Sequence, residues 1–183
     1  MFETFRTKAE AVSAEVFRAP GRAEALELVL AFLEKEGVSA EPGRGAVWAD
    51  GPMLGGLDRA AMARRVPGLG FEVTREAAAA ARVGISQVDW LVANTGTLAQ
   101  AADSIEQRLA SSLPTIHVAI ASASRMVADL GQLFARLGPA QSRYVALTTG
   151  PSRTADIERV LTIGVHGPER LVVVVVDDLE GRS

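Results

Sequence analysis

Leu171-Val172-Val173-Val174-Val175-Val176 is an uninterrupted run of six apolar residues, five of them valine, closed by Asp177-Asp178. Alternation of apolar and polar residues marks a strand with one wet face. An unbroken β-branched run instead marks a strand buried on both faces, which is the habit of parallel sheets covered by helices. Working back from this run, Tyr144-Val145-Ala146-Leu147, Ile116-His117-Val118-Ala119-Ile120, Trp90-Leu91-Val92-Ala93 and Ala46-Val47-Trp48-Ala49 read as further short strands. Between them lie stretches with helical spacing: Leu26, Val29, Leu30 and Leu33 within Arg22 to Glu36, the alanine-rich Glu76 to Arg82, Asp103 to Ser111, and a stripe of Val127, Leu130, Phe134 and Leu137. The class is therefore α/β, a Rossmann-like, mostly parallel sheet with flanking helices. Phe5, Ala9, Val12 and Val16 also recur at helical spacing up to the breaker Ala19-Pro20-Gly21. Residues 1–36 thus read as an N-terminal helical arm, and residues 37–183 as one α/β core. Val83-Gly84 reads as the turn that ends the alanine-rich helix.

The bulk properties agree with one folded unit. The chain has 183 residues, 48% hydrophobic and 22% charged, and a net charge of -3. That charge gives no electrostatic basis for nucleic-acid binding, which relies on cationic neutralisation of phosphates. The basic residues are nearly all arginine, Lys8 and Lys35 excepted, and they are interleaved with acids rather than gathered in a stripe. No window approaches a membrane span and the amino terminus lacks a secretory pattern, so the expected location is cytoplasmic. There is no cysteine, which excludes disulfides, thiolate zinc sites, cysteine nucleophiles and an iron–sulfur cluster held by these residues. His117 and His166 are the only histidines and no His-Glu-x-x-His spacing occurs, so a metal is not expected. Walker and dinucleotide-binding loops are absent as well.

Four segments could carry chemistry. Thr149-Gly150-Pro151-Ser152-Arg153-Thr154-Ala155-Asp156-Ile157-Glu158 reads as strand, glycine turn and helix start. Ser152, Arg153 and Thr154 would present backbone N–H groups to an anion there, with the Arg153 fork beside them and Asp156 and Glu158 in the first turn. The plainer reading is a capped helix with Arg153 in solvent. A third, a degraded nucleophile elbow on Ser152 with His166 as base, lacks the second glycine of that motif. His166, in Gly164-Val165-His166-Gly167-Pro168, and His117, in its strand, are candidates for acid or base work near neutral pH, or are histidines bonded locally. Asn94-Thr95-Gly96-Thr97 reads as a tight turn between two paired strands.

Taken together, Ala93-Asn94-Thr95-Gly96-Thr97, Leu113-Pro114-Thr115-Ile116-His117, the Gly150 to Glu158 block and Gly164 to Pro168 resemble, in order and spacing, the lactate-utilisation protein C family, the LUD domain. The resemblance covers roughly residues 72–178. It implies the fold shared with glucosamine-6-phosphate deaminases, ribose-5-phosphate isomerases and coenzyme A transferases. It also implies a part in oxidation of L-lactate to pyruvate beside iron–sulfur partner proteins, and a chain without a cluster of its own. The expected pocket, at the carboxyl ends of the strands, has His117 and His166 as its catalytic candidates and Asn94, Thr95, Gly96, Thr97, Gly150, Ser152, Arg153, Thr154, Asp156 and Glu158 as its ligand-binding ones. It would take a small anion: lactate, pyruvate or a phosphate-bearing ligand. The family usually carries an acid before its Thr-Gly-Thr turn; Asn94 can keep hydrogen-bond geometry but cannot take a proton. Two other readings stand beside this one: an autonomous enzyme on a phosphorylated sugar, folate or coenzyme A thioester, by fold analogy, and a non-catalytic assembly module.

Overall fold

The computed structural model describes residues 1–101, 103–137, 144–155, 161–163 and 167–179. In chain order the elements are α1 (Phe2–Ala11), β1 (Ala14–Gly21), α2 (Arg22–Lys35), β2 (Gly45–Trp48), α3 (Arg59–Arg65), β3 (Leu69–Gly70), α4 (Arg75–Ala80), β4 (Ala81–Gln87), β5 (Trp90–Val92) and β6 (Thr97–Ala101). There follow α5 (Ile105–Ser112), β7 (Ile116–Ser122), β8 (Met126–Val127), α6 (Leu130–Arg136), β9 (Val145–Thr148), β10 (Arg153–Ala155), β11 (Leu161–Ile163) and β12 (Arg170–Asp178).

Six strands form one sheet in the order β1-β12-β7-β4-β2-β3, with every neighbouring pair parallel. The valine run is strand β12, between β1 and β7, and its side chains divide between two cores. Val172, Val174 and Val176 face α2, where they meet Val29 and Leu33. Leu171, Val173 and Val175 face Phe5 and Ala9 of α1 and a second, smaller sheet. All six are at most 2% exposed, and each buried valine contributes about 1.5–3 kcal/mol relative to an exposed one. The smaller sheet, ordered β8-β5-β6-β9, lies on that second face through Leu91, Leu98 and Met126. Its β5–β6 pair is the expected hairpin, joined at Thr95-Gly96.

Three local expectations are corrected. The helical arm ends at Ala11, where Ser13 adopts φ 70°, and Ala14–Gly21 is a strand paired with the valine run. Val12 and Val16 are four apart, a spacing that fits one face of a strand as well as a helix. With β1 and α2 built into sheet and core, residues 1–36 are not an appendage. Val83-Gly84 lies within β4 rather than in a turn. Gly84 is required there because α5 crosses directly above it: a Cβ would overlap the Ala110 carbonyl oxygen and stand 2.6 Å from Pro114 Cγ. In the third case Val127 belongs to β8, and α6 starts after Asp129, whose carboxylate accepts from the Gln132 N–H at 2.8 Å. Phe134, placed on the buried stripe by sequence spacing, is 53% exposed.

Candidate functional site

The Gly150–Arg153 segment does not open a helix. Arg153–Ala155 is strand β10, paired antiparallel with Leu161–Ile163. Free N–H groups of a helix start are therefore not available at Ser152 to Thr154, and the expected helix-terminus anion site is not formed there. Arg153 turns to its own chain: its Nη2 donates to the Val12 carbonyl at 3.2 Å and to Ser13 Oγ. The fork thus ties β10 to the turn between α1 and β1. Asp156, Glu158 and His166 lie outside the described residues.

The glycines of both turn motifs serve the same corner. Gly96 has φ 66° and Gly150 φ 75°. A Cβ on Gly96 would stand 2.7 Å from Ala9 Cα, and one on Gly150 would stand 2.5 Å from the Val12 oxygen. Both turns are pressed against the end of α1, so glycine is needed for conformation and for space. Thr97 Oγ1 lies 2.8 Å from both Thr95 Oγ1 and Thr149 Oγ1, which links the two motifs directly. Asn94 is exposed and uses its backbone N–H on the Ala128 carbonyl. The structure thus brings the Thr97 and Gly150 motifs together, but Asn94, Thr95, Gly96, Thr97 and Arg153 are not among the described residues that line the cavity beside them.

The cavity beside this corner has a volume of about 280 Å³ and is lined by Ser111, Ser112, His117, Thr148, Thr149, Gly150, Ser152 and Gly167, with Leu147, Pro151, Pro168 and Leu171 as its apolar part. That volume is near the lower limit of the range of about 300–1,000 Å³ for small-molecule sites. His117 is the second residue of β7 and Leu171, its register partner, the second of β12. The cavity is therefore at the amino ends of these parallel strands, opposite to the end expected from sequence. The end of α5 supplies Ser111 and Ser112, and Ser152 is fixed by its N–H bond to the Pro168 carbonyl at 2.9 Å. No Lys or Arg lines it among the described residues.

His117 is the group that reaches from the cavity into the protein. It is 2% exposed, and burial pushes its pKa down to about 4. The ring is neutral at pH 7. Its Nε2 is 2.8 Å from Ser86 Oγ, which begins a buried polar chain. Gln100 Nε2 contacts Ser86 Oγ at 3.3 Å, the Gln87 carbonyl at 3.1 Å and Gln107 Oε1 at 3.0 Å, and Gln107 Nε2 ends the chain on the Asp50 carbonyl. Ser86 and Gln107 are fully buried and Gln87 and Gln100 nearly so. Sequence reasoning missed this network. Its signal is Ser86, Gln87 and Gln100, polar residues buried within strands β4 and β6.

Fold and cavity together define a parallel α/β protein whose main sheet carries α2 on one face and α1 with a second small sheet on the other, with a hydroxyl-lined pocket beside them. The comparisons place that class. The LUD domain model matches residues 2–176, and the chain belongs to the LUD domain family. It is 38% identical over 114 residues to a protein named Lactate utilization protein C from Exiguobacterium sp., covering 59% of this chain and 50% of that one. It is 35% identical over 109 residues to Lactate utilization protein C from Halalkalibacterium halodurans, covering 56% and 47%. The chain spans about half the length of the curated relatives it matches. A DUF162 family protein from Deinococcus radiodurans shares the fold, with TM-score 0.63 and 18% identity over 96% of this chain and 95% of that one. No helix among the described residues is long and apolar enough to cross a membrane.

Proposed function

We propose that this protein takes part in the oxidation of L-lactate to pyruvate as a lactate-utilisation component, and that it holds a small monocarboxylate in the His117 cavity. The observation that carries the ligand reading is the cavity itself: a space of about 280 Å³, rich in hydroxyl groups, with one neutral, nearly buried imidazole in its wall. Without a lining cation among the described residues, binding rests on hydrogen bonds. That suits a monoanion such as lactate or pyruvate better than a phosphate-bearing ligand, whose two charges need an Arg or Lys partner. The pathway reading is supported by the names of the relatives. These 183 residues contain no cysteine, so an iron–sulfur cluster serving the oxidation would be held outside them.

The test is growth on L-lactate of a strain lacking the gene. Complementation by the wild-type chain should restore growth and His117→Phe should not. Growth restored equally by both would overturn the cavity's role, and normal growth of the deletion strain on lactate would overturn the pathway reading.

A further inference from the structure

The Ser86 hydroxyl has two polar neighbours among the described residues, His117 Nε2 at 2.8 Å and Gln100 Nε2 at 3.3 Å. The orientation of the Gln100 amide is over-determined, since the same Nε2 also faces the Gln87 carbonyl and Gln107 Oε1, both acceptors. Gln107 is itself held by Nε2 on the Asp50 carbonyl and by the Gln87 N–H on Oε1 at 3.3 Å. Gln100 Nε2 has two protons for these three acceptors, Ser86 Oγ being the farthest, and as a donor group it cannot receive the hydroxyl proton. The remaining acceptor for that proton is His117 Nε2. A neutral imidazole that accepts at Nε2 carries its proton at Nδ1. Nδ1 has no partner among the described residues, and the one fully enclosed side-chain nitrogen or oxygen without a partner is Arg82 Nε. Nδ1 is thus open to the cavity that His117 lines.

We propose that Ser86, whose hydroxyl proton Gln100 Nε2 cannot accept, is a positioning residue that holds His117 as the Nδ1–H tautomer and makes it a hydrogen-bond donor into the cavity. This rests on the cavity being the ligand site, and it deepens that reading by naming the ligand feature selected. The ligand must present an acceptor oxygen at Nδ1, a carboxylate or keto oxygen. The basic nitrogen is turned inward, so His117 does not draw a proton from the ligand. Acid–base work on an alcohol would need another group.

The experiment is long-range proton–nitrogen correlation spectroscopy on ring-labelled protein at pH 7, with calorimetric titration of pyruvate. The chain has two histidines, and His166→Asn assigns the remaining ring. Wild type should show Nδ1 protonated. Ser86→Ala should move the ring toward the Nε2–H form and weaken pyruvate binding by about 10-fold, the loss of one hydrogen bond. Ser86→Thr, which keeps the hydroxyl, should restore both readouts. An Nε2–H ring in wild type overturns the proposal even if Ser86→Ala fails to fold, and so does a Ser86→Ala protein with unchanged tautomer and affinity. An Nδ1–H ring in a protein that binds no carboxylate supports the role of Ser86 and overturns the functional reading instead.

Discussion

Thr97 and Thr149, 52 residues apart in sequence, meet at 2.8 Å through their hydroxyls. This bond joins the turn of the β5–β6 hairpin to the exit of β9, and Thr149 then lines the cavity. Thr97→Val keeps the shape and removes the bond. Urea unfolding should show a loss of about 1 kcal/mol, and pyruvate affinity should fall with it because Thr149 is no longer anchored. A loss of stability with unchanged affinity would separate the hairpin from the site.

Much of the architecture was legible because β12 states it twice. A run of valines can be buried on both faces only between two layers, and the pairs Val172/Val173 and Val174/Val175 divide between those layers as a strand period of two requires. β1 was not legible, since its partner lies more than 150 residues away and the Phe5 to Val16 spacing satisfies a helix equally well. Of the residues expected at the site, His117, Gly150 and Ser152 line one cavity and Thr97 meets it only through Thr149, while the glycines serve the end of α1 and Arg153 is held by Val12 and Ser13. Which end of the sheet holds the pocket depends on how the small sheet rests on the large one, which local sequence does not encode.

The crossing of α5 over β4 leaves no room at Gly84. Gly84→Ala should push α5 away and cost about 3 kcal/mol. Because α5 carries Gln107 at one end and Ser111 and Ser112 at the other, the variant should lose pyruvate binding before it loses its fold. Denaturant unfolding and titration on the same sample check both.

Arg153 offers a sharp contrast between sequence and structure. As an anion ligand its removal would abolish binding. Held instead by the Val12 carbonyl and Ser13, Arg153→Ala should leave pyruvate affinity within about twofold and raise hydrogen exchange in the turn between α1 and β1. Loss of binding with that turn still protected would return Arg153 to the site.

His117 also imposes a pH dependence on stability. Its folded pKa is near 4, while in the unfolded chain it returns to about 6.5. As pH falls below about 6.5, the unfolded state takes up a proton that the folded state refuses, so stability declines until the folded ring titrates near 4. The expected slope from this group is up to about 1.4 kcal/mol per pH unit. His117→Gln should remove it, seen as a flatter stability profile between about pH 6 and 5.

Occupancy of the His117 cavity by a small monocarboxylate is decided by isothermal titration of pyruvate into the purified protein and into Ser152→Trp. Ser152 is half-buried on the cavity wall, and an indole there fills the space while leaving every residue of the Ser86 network unsubstituted. Saturable one-site binding to wild type, lost in Ser152→Trp while the fold is kept, is the result predicted. Equal binding by both proteins, or none by wild type, would contradict the account.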